Sequence, residues 1–247
     1  MKVEIQEGSV FKSKSCGDYK VTKYNSAGDI DIEFVNTGYV TKITSASLRT
    51  GSICDKLKKT AFGVGYIGDG PHRTSINGKS SKCYLIWRAV LSRCYNQKDR
   101  AYCSYGQRGV RVCDSWLNFQ NFAEWFYDNH VEGYELDKDI LFDGNLLYSP
   151  DYCRFIPKRI NLLLRRSHNR QADLPVGVAF NNGSYSAFIR RGCGSPYEYL
   201  GCFRTPEDAH KKYKEEKEKY IKKVAADYYQ RGFITKEIRD ALFNFNV

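Results

Sequence analysis

The chain has no apolar run long enough to cross a membrane as a helix. Its first residues, MKVEIQEGSVF, read as a folded strand rather than a signal peptide. A cytoplasmic protein is therefore expected. The nine cysteines include no C-x-x-C pair, and their count is odd. A disulfide framework and a zinc ribbon both want paired spacing, so the pattern fits a reducing compartment. Cys94, Cys103, Cys113 and Cys153 lack the close pairs of a structural zinc site, and most of them read as small buried hydrophobes. Acid is also scarce: 28 Asp and Glu stand against 39 Lys and Arg, giving a formal charge of +11. Such a balance favours a polyanionic partner.

Basic excess is spread along the chain. Lys+Arg minus Asp+Glu is 10−7 = +3 for residues 1–60, 16−11 = +5 for 61–170 and 13−10 = +3 for 171–247. With 247 residues, 42% hydrophobic and 15% aromatic, the chain has material for two or three packed domains.

Residues 1–60 alternate apolar and polar side chains in short runs. Tyr19 to Tyr24, Asp29 to Val35 and Val40 to Ile43 read as strands separated by turns, suggesting a small β-barrel-like domain. It resembles the Src-homology-like barrels that begin related phage proteins. Support or docking of a protein partner is the expected role. Residues 61–82 are rich in Gly, Ser and Lys and read as a linker or arm, from which His72 and Arg73 reach outward.

From Tyr84 the period becomes helical. Trp87, Val90, Leu91 and Cys94 form one apolar face, and Phe119, Phe122, Ala123 and Phe126 form another. Between them lies DRAYCSYGQRGVRVC, whose Arg100, Arg108 and Arg111 suit phosphate contacts. Then Glu135 to Phe142 reads as a strand, Asp143-Gly144-Asn145 as a turn, Tyr152 to Ile156 as a second strand, and Pro157 to Arg166 as a basic helix. Strand alternation puts Asp137 and Asp139 on one face and Lys138 on the other, exposed side. Asn161, one turn into the helix, is placed to close on the acidic face. Two carboxylates and an amide oxygen suit Mg²⁺ (or Mn²⁺). A solvated Asp-Lys-Asp face and a helix-capping Asn161 is the competing reading.

The segment Tyr84–Arg166 resembles the phage-encoded HNH homing endonucleases and their ββα-metal relatives. The residues that carry this are Trp87, Arg93-Cys94-Tyr95-Asn96, Tyr105 to Val110, Val112-Cys113, Trp116, Phe119, Phe122, Leu136 to Asp139, Tyr148-Ser149-Pro150, Cys153 and Asn161. The resemblance implies that Asp137 and Asn161 are metal ligands, that Asp139 assists, and that double-stranded DNA is nicked by phosphodiester hydrolysis. Lys138 stands where the family places its catalytic histidine, and Asp151 stands near the middle asparagine. That departure keeps open a second outcome, a catalytically degenerate DNA-binding regulator. His168 is a candidate substitute base. Arg165 and Arg166, at the helix end, suit the DNA backbone.

The last segment, 171–247, contains three short strand-like runs from Val176, Tyr185 and Tyr197, with Asn181-Asn182-Gly183 as a hairpin turn. Thr205-Pro206 opens a helix, and a short C-terminal helix follows. Gly177-Val178, Tyr185-x-Ala187-x-Ile189 and Leu200-Gly201-x-Phe203-x-Thr205-x-Glu207-x-Ala209 resemble the Apetala-type (ethylene-response-factor) DNA-binding domain. There the sheet enters the major groove, which makes Tyr185, Arg190, Arg191 and Tyr197 the candidate contacts. The expected fold is α+β: a small N-terminal β-barrel-like domain (1–60), a linker (61–82), a central ββα-metal domain (83–170) and a sheet-plus-helix domain (171–247).

Overall fold

The structure is a computed structural model that describes residues 5–164, 174–192 and 194–247. It is a mixed α and β fold with several small sheets, dividing into two compact units, 1–128 and 129–247. The boundary falls inside the stretch read from sequence as one central domain.

The first unit begins with an antiparallel meander of β1 (Val10–Lys12), β2 (Asp18–Ser26), β3 (Asp29–Phe34) and β4 (Val40–Ile43). Alternation along β2 and β3 sends Tyr19, Val21, Ile30, Ile32 and Phe34 into one core. Helix α1 (Ser45–Thr50), capped by Thr44, adds Leu48. The sheet stays open, with β1 and β4 at its edges, in place of the expected barrel-like closure.

A hairpin, β5 (Ser75–Ile76) and β6 (Lys79–Ser80), precedes α2 (Lys82–Tyr95). The arm expected to be a linker thus carries its own ordered turn. As predicted, α2 buries Trp87, Val90, Leu91 and Cys94. After β7 (Arg111–Val112) and α3 (Asp114–Leu117), helix α4 (Phe119–Asn129) buries Phe119, Phe122, Ala123 and Phe126. Trp87 Nε1 donates to the Trp116 carbonyl at 2.7 Å, so the buried indole keeps a partner.

In the second unit β8 (Tyr134–Asp137) pairs antiparallel with β10 (Arg154–Pro157), and α5 (Lys158–Leu164) follows at once. The short β9 (Leu147–Tyr148) lies in the connection. Strands β11 (Val178–Asn181), β12 (Ser184–Ile189) and β13 (Glu198–Phe203) form the three-stranded sheet. Its first turn is the expected one, with Asn182 and Gly183 at φ 50° and 79°. Helix α6 (Pro206–Gln230) starts at the Thr205 cap, and α7 (Lys236–Phe243) closes the chain.

Helix α6 serves two cores. Its first turns put Ala209 against Val178 and Ala187 of the sheet. Further along, Tyr220, Ile221, Val224 and Ala225 pack with Ile156, Ile160 and Leu163 of the ββα unit and with Ile238 and Leu242 of α7. The 171–247 segment therefore shares its interior with the ββα unit. Among the described residues, no helix is long and apolar enough to cross a membrane.

Candidate functional site

Strand β8 is shorter than alternation predicts, and it ends at Asp137 for a local reason. The Asp137 Oδ1 accepts the backbone N–H of Asp139 at 2.8 Å and of Ile140 at 2.7 Å. A side chain that satisfies the next N–H groups replaces a ladder partner and turns the chain. Asp139 therefore lies beyond the strand, not on the Asp137 face. Instead it pairs with Lys138 Nζ at 2.6 Å.

Lys138 is buried, with a side chain 7% exposed, which corrects the exposed position expected for it. Its ammonium also donates to the Asn145 carbonyl. Asn145 binds the loop from the other side. Its amide nitrogen donates to the carbonyls of Lys138 (2.8 Å) and Leu147 (2.7 Å), and its oxygen accepts from Leu147 N–H (3.0 Å). Residues 138–147 are thus a loop closed by its own polar groups. Asp151, expected near the middle-asparagine position, accepts from Arg154 through its backbone carbonyl. Asn145 was missed from sequence because it looked like an ordinary turn residue.

Asn161 does close on β8. Its Nδ2 donates to Glu135 Oε2 at 2.7 Å. Glu135 and Asp137 are two apart on one strand, so they leave the same face. The structure thus puts Glu135, Asp137 and Asn161 on one side, where the sequence suggested Asp137, Asp139 and Asn161. Burial pushes the Asp137 carboxyl up from the usual carboxylate range, and the two N–H donors pull it partly back. Across the ladder from Asp137, Arg154 is held bidentately by Glu237 at 2.9 and 3.0 Å.

Glu135, Asp137 and Asn161 offer hard oxygen atoms of the kind Mg²⁺ takes, so the donor set fits that ion. Among the described residues, no cluster of three or more His, Cys, Asp or Glu side chains forms a ready cage. Asp137 and Asn161, with Glu135 beside them, are the residues that would hold such an ion, with water completing its coordination. His130 packs edge-on against Phe155, whose pairing with Leu136 puts it on the other face of the hairpin. His168, Arg165 and Arg166 lie outside the described residues.

The three-stranded sheet has two unlike faces. Val178, Ala187 and Tyr185 face α6, so Tyr185 packs with the core instead of standing on the open side. Register puts Ala179, Ser186, Phe188, Tyr199 and Cys202 on the opposite face. Tyr199 is 57% exposed there, 5.6 Å from the Phe188 ring. The exposed Arg190 lies over Tyr197 at 5.6 Å, a cation–π pair. Arg191 is tied down: it bonds Glu198 at 2.7 and 3.1 Å and lies 3.6 Å from Glu216 of α6. Phe188 and Tyr199 were not singled out from sequence, although strand alternation marks them. In the first unit Arg100, Arg108 and Arg111 are exposed. Gly106 keeps that loop tight, because a Cβ there would sit 2.2 Å from the Cys94 carbonyl.

Neither a family model, nor a curated protein, nor a solved structure matches the chain.

Proposed function

We propose that this chain is a DNA-binding protein of the HNH homing endonuclease type, acting in the cytoplasm of a phage-infected cell. In this reading the ββα unit nicks double-stranded DNA in the presence of Mg²⁺ (or Mn²⁺). The β11–β13 sheet with α6 is an Apetala-type binding module, and the N-terminal sheet supports it or docks a protein partner. The observation that carries this reading is the Asn161–Glu135 bond, which seats the helix amide on the face that also bears Asp137. Asp137 and Asn161 would hold a divalent ion, which would supply charge beside a scissile phosphate. The chain itself orients these groups, and Glu135 is the carboxylate beside them. Lys138 does not act as a base, since its ammonium is buried against Asp139.

That last feature favours a second reading, a nuclease that has lost cleavage and binds DNA as a regulator or accessory factor. A supercoiled-plasmid assay separates the two. Metal-dependent open circles from the wild type, absent for Asp137→Ala, support cleavage. Plasmid binding without metal-dependent nicking leaves the regulator.

A further inference from the structure

Between Gly70 and Lys98 there is no acidic residue, while Arg73, Lys79, Lys82, Arg88, Arg93 and Lys98 fall in that span. The nearest acid before it, Asp69, is occupied by Lys56 at 2.6 Å. The hairpin β5–β6 stands in the middle of this cationic stretch. Asn77 and Gly78 take φ of 51° and 75°, the paired left-handed geometry that turns a two-residue loop with the twist of its strands.

All six hairpin residues are exposed, Ile76 at 56%. Ile76 and Lys79 pair across the ribbon and so share one face. A two-stranded ribbon is marginal alone in water, and this one is held at its base. The buried Gln120 side chain accepts from His72 N–H at 2.9 Å and donates to the carbonyls of His72 (3.1 Å) and Ile67 (3.3 Å). The His72 ring stacks on Tyr127, and Ser81 N–H donates to the Thr74 carbonyl at 2.8 Å. Ser81 then caps α2 through Tyr84 N–H. The stalk is fixed, while the tip residues are exposed among the described residues.

We propose that this hairpin, Ser75–Ser80, enters the major groove of duplex DNA and reads bases there, a proposal that rests on the DNA-binding reading above. The major groove is wide enough for a two-stranded ribbon, and the tip carries matching chemistry. Lys79 reaches guanine acceptors, the Asn77 amide suits adenine, and Ile76 meets the thymine methyl. Arg73 and Lys82 flank it and take phosphates.

The test uses the full chain and a pool of duplexes with a randomised centre, bound and sequenced at several salt concentrations. Wild type, Ile76→Ser, Asn77→Gly and Lys79→Ala are compared, with thermal melts to verify the fold. Expected are unchanged melts, altered base preference over two or three adjacent pairs for Ile76→Ser and Asn77→Gly, and for Lys79→Ala a salt slope shallower by about 1 if it also neutralises a phosphate. Wild-type binding with the same preference and affinity in all variants overturns the hairpin proposal alone. Uniform weakening with no change of preference reduces the hairpin to backbone docking and overturns the groove reading. Failure of the wild type to bind any duplex at low salt removes the DNA-binding reading itself.

Discussion

The four-stranded sheet of the first unit and the three-stranded sheet of the second use the same antiparallel ladder for opposite ends. On β2 and β3 the large side chains Tyr19, Ile30, Ile32 and Phe34 go inward, while Tyr24 near the end of β2 is 40% exposed. Outside, Lys42 pairs with Asp29 at 2.8 Å and Asp31 at 3.8 Å, as a solvated surface does. In the three-stranded sheet Val178 and Ala187 pack against Ala209 with Tyr185 and Phe203 beside them, and the Phe188 and Tyr199 rings stand on the opposite face. On that face Tyr199 remains 57% exposed, a large ring turned to solvent. In the function proposed above, the first sheet is a scaffold and the second presents a surface.

The comparison can be broken at its strongest point first. Ile32→Ala is expected to cost about 2–5 kcal/mol, the range for deleting a fully buried aliphatic side chain, measured by urea unfolding. Gly177→Ala comes next, because a Cβ there would lie 2.3 Å from the Tyr213 ring at a φ of 81°. We expect a loss of about 1–3 kcal/mol from overpacking, whereas Gly38→Ala in the β3–β4 turn of the first unit, with its nearest atom 3.9 Å away, costs only the backbone strain of about 1 kcal/mol.

On the open face the expected order reverses. Tyr199→Ala should leave stability within about 0.5 kcal/mol and weaken duplex binding. Arg190→Ala should cost about 1–3 kcal/mol of discrimination if it reads a base, while Arg191→Ala should show mainly in the melt, since Glu198 loses its bidentate partner. Equal thermal losses for Tyr199 and Ile32 would erase the distinction between the sheets.

The smallest effect concerns pH. Burial raises the Asp137 carboxyl above its unfolded value. Whatever Asp137 contributes to stability is present at pH below the unfolded value and is lost as pH rises through the folded one. Asp137→Asn should therefore match wild type in acid and melt progressively higher above that window. Added Mg²⁺ should raise the wild-type melting temperature near neutral pH and leave the variant unmoved.

Much of this architecture was legible in residue spacing. The apolar faces of α2 and α4, the Asn182-Gly183 turn and the Thr205-Pro206 helix start each follow from one local rule, and each stands where that rule put it. What escaped depends on side chains bonding to backbone a few residues away. Alternation carried β8 past Asp137, because it has no means of seeing a carboxylate capture the N–H groups of Asp139 and Ile140. It put Lys138 in solvent, because its burial needs the Asn145 carbonyl seven residues on. The Asn161 approach was anticipated, but its partner Glu135 was passed over in favour of Asp137 and Asp139. Period also fails to show that one helix feeds two interiors, since the apolar positions of α6 look alike along its length.

That helix has a mechanical consequence. At 25 residues it is a rod of about 37 Å, gripped near its start by the aromatic sheet and further on by the layer holding Asn161 and β10. Strain or ordering introduced at one grip has a stiff path to the other. A ligand seated on Tyr199 should therefore slow amide exchange around Ile160 as well as beneath its own footprint, and the two layers should melt in one step.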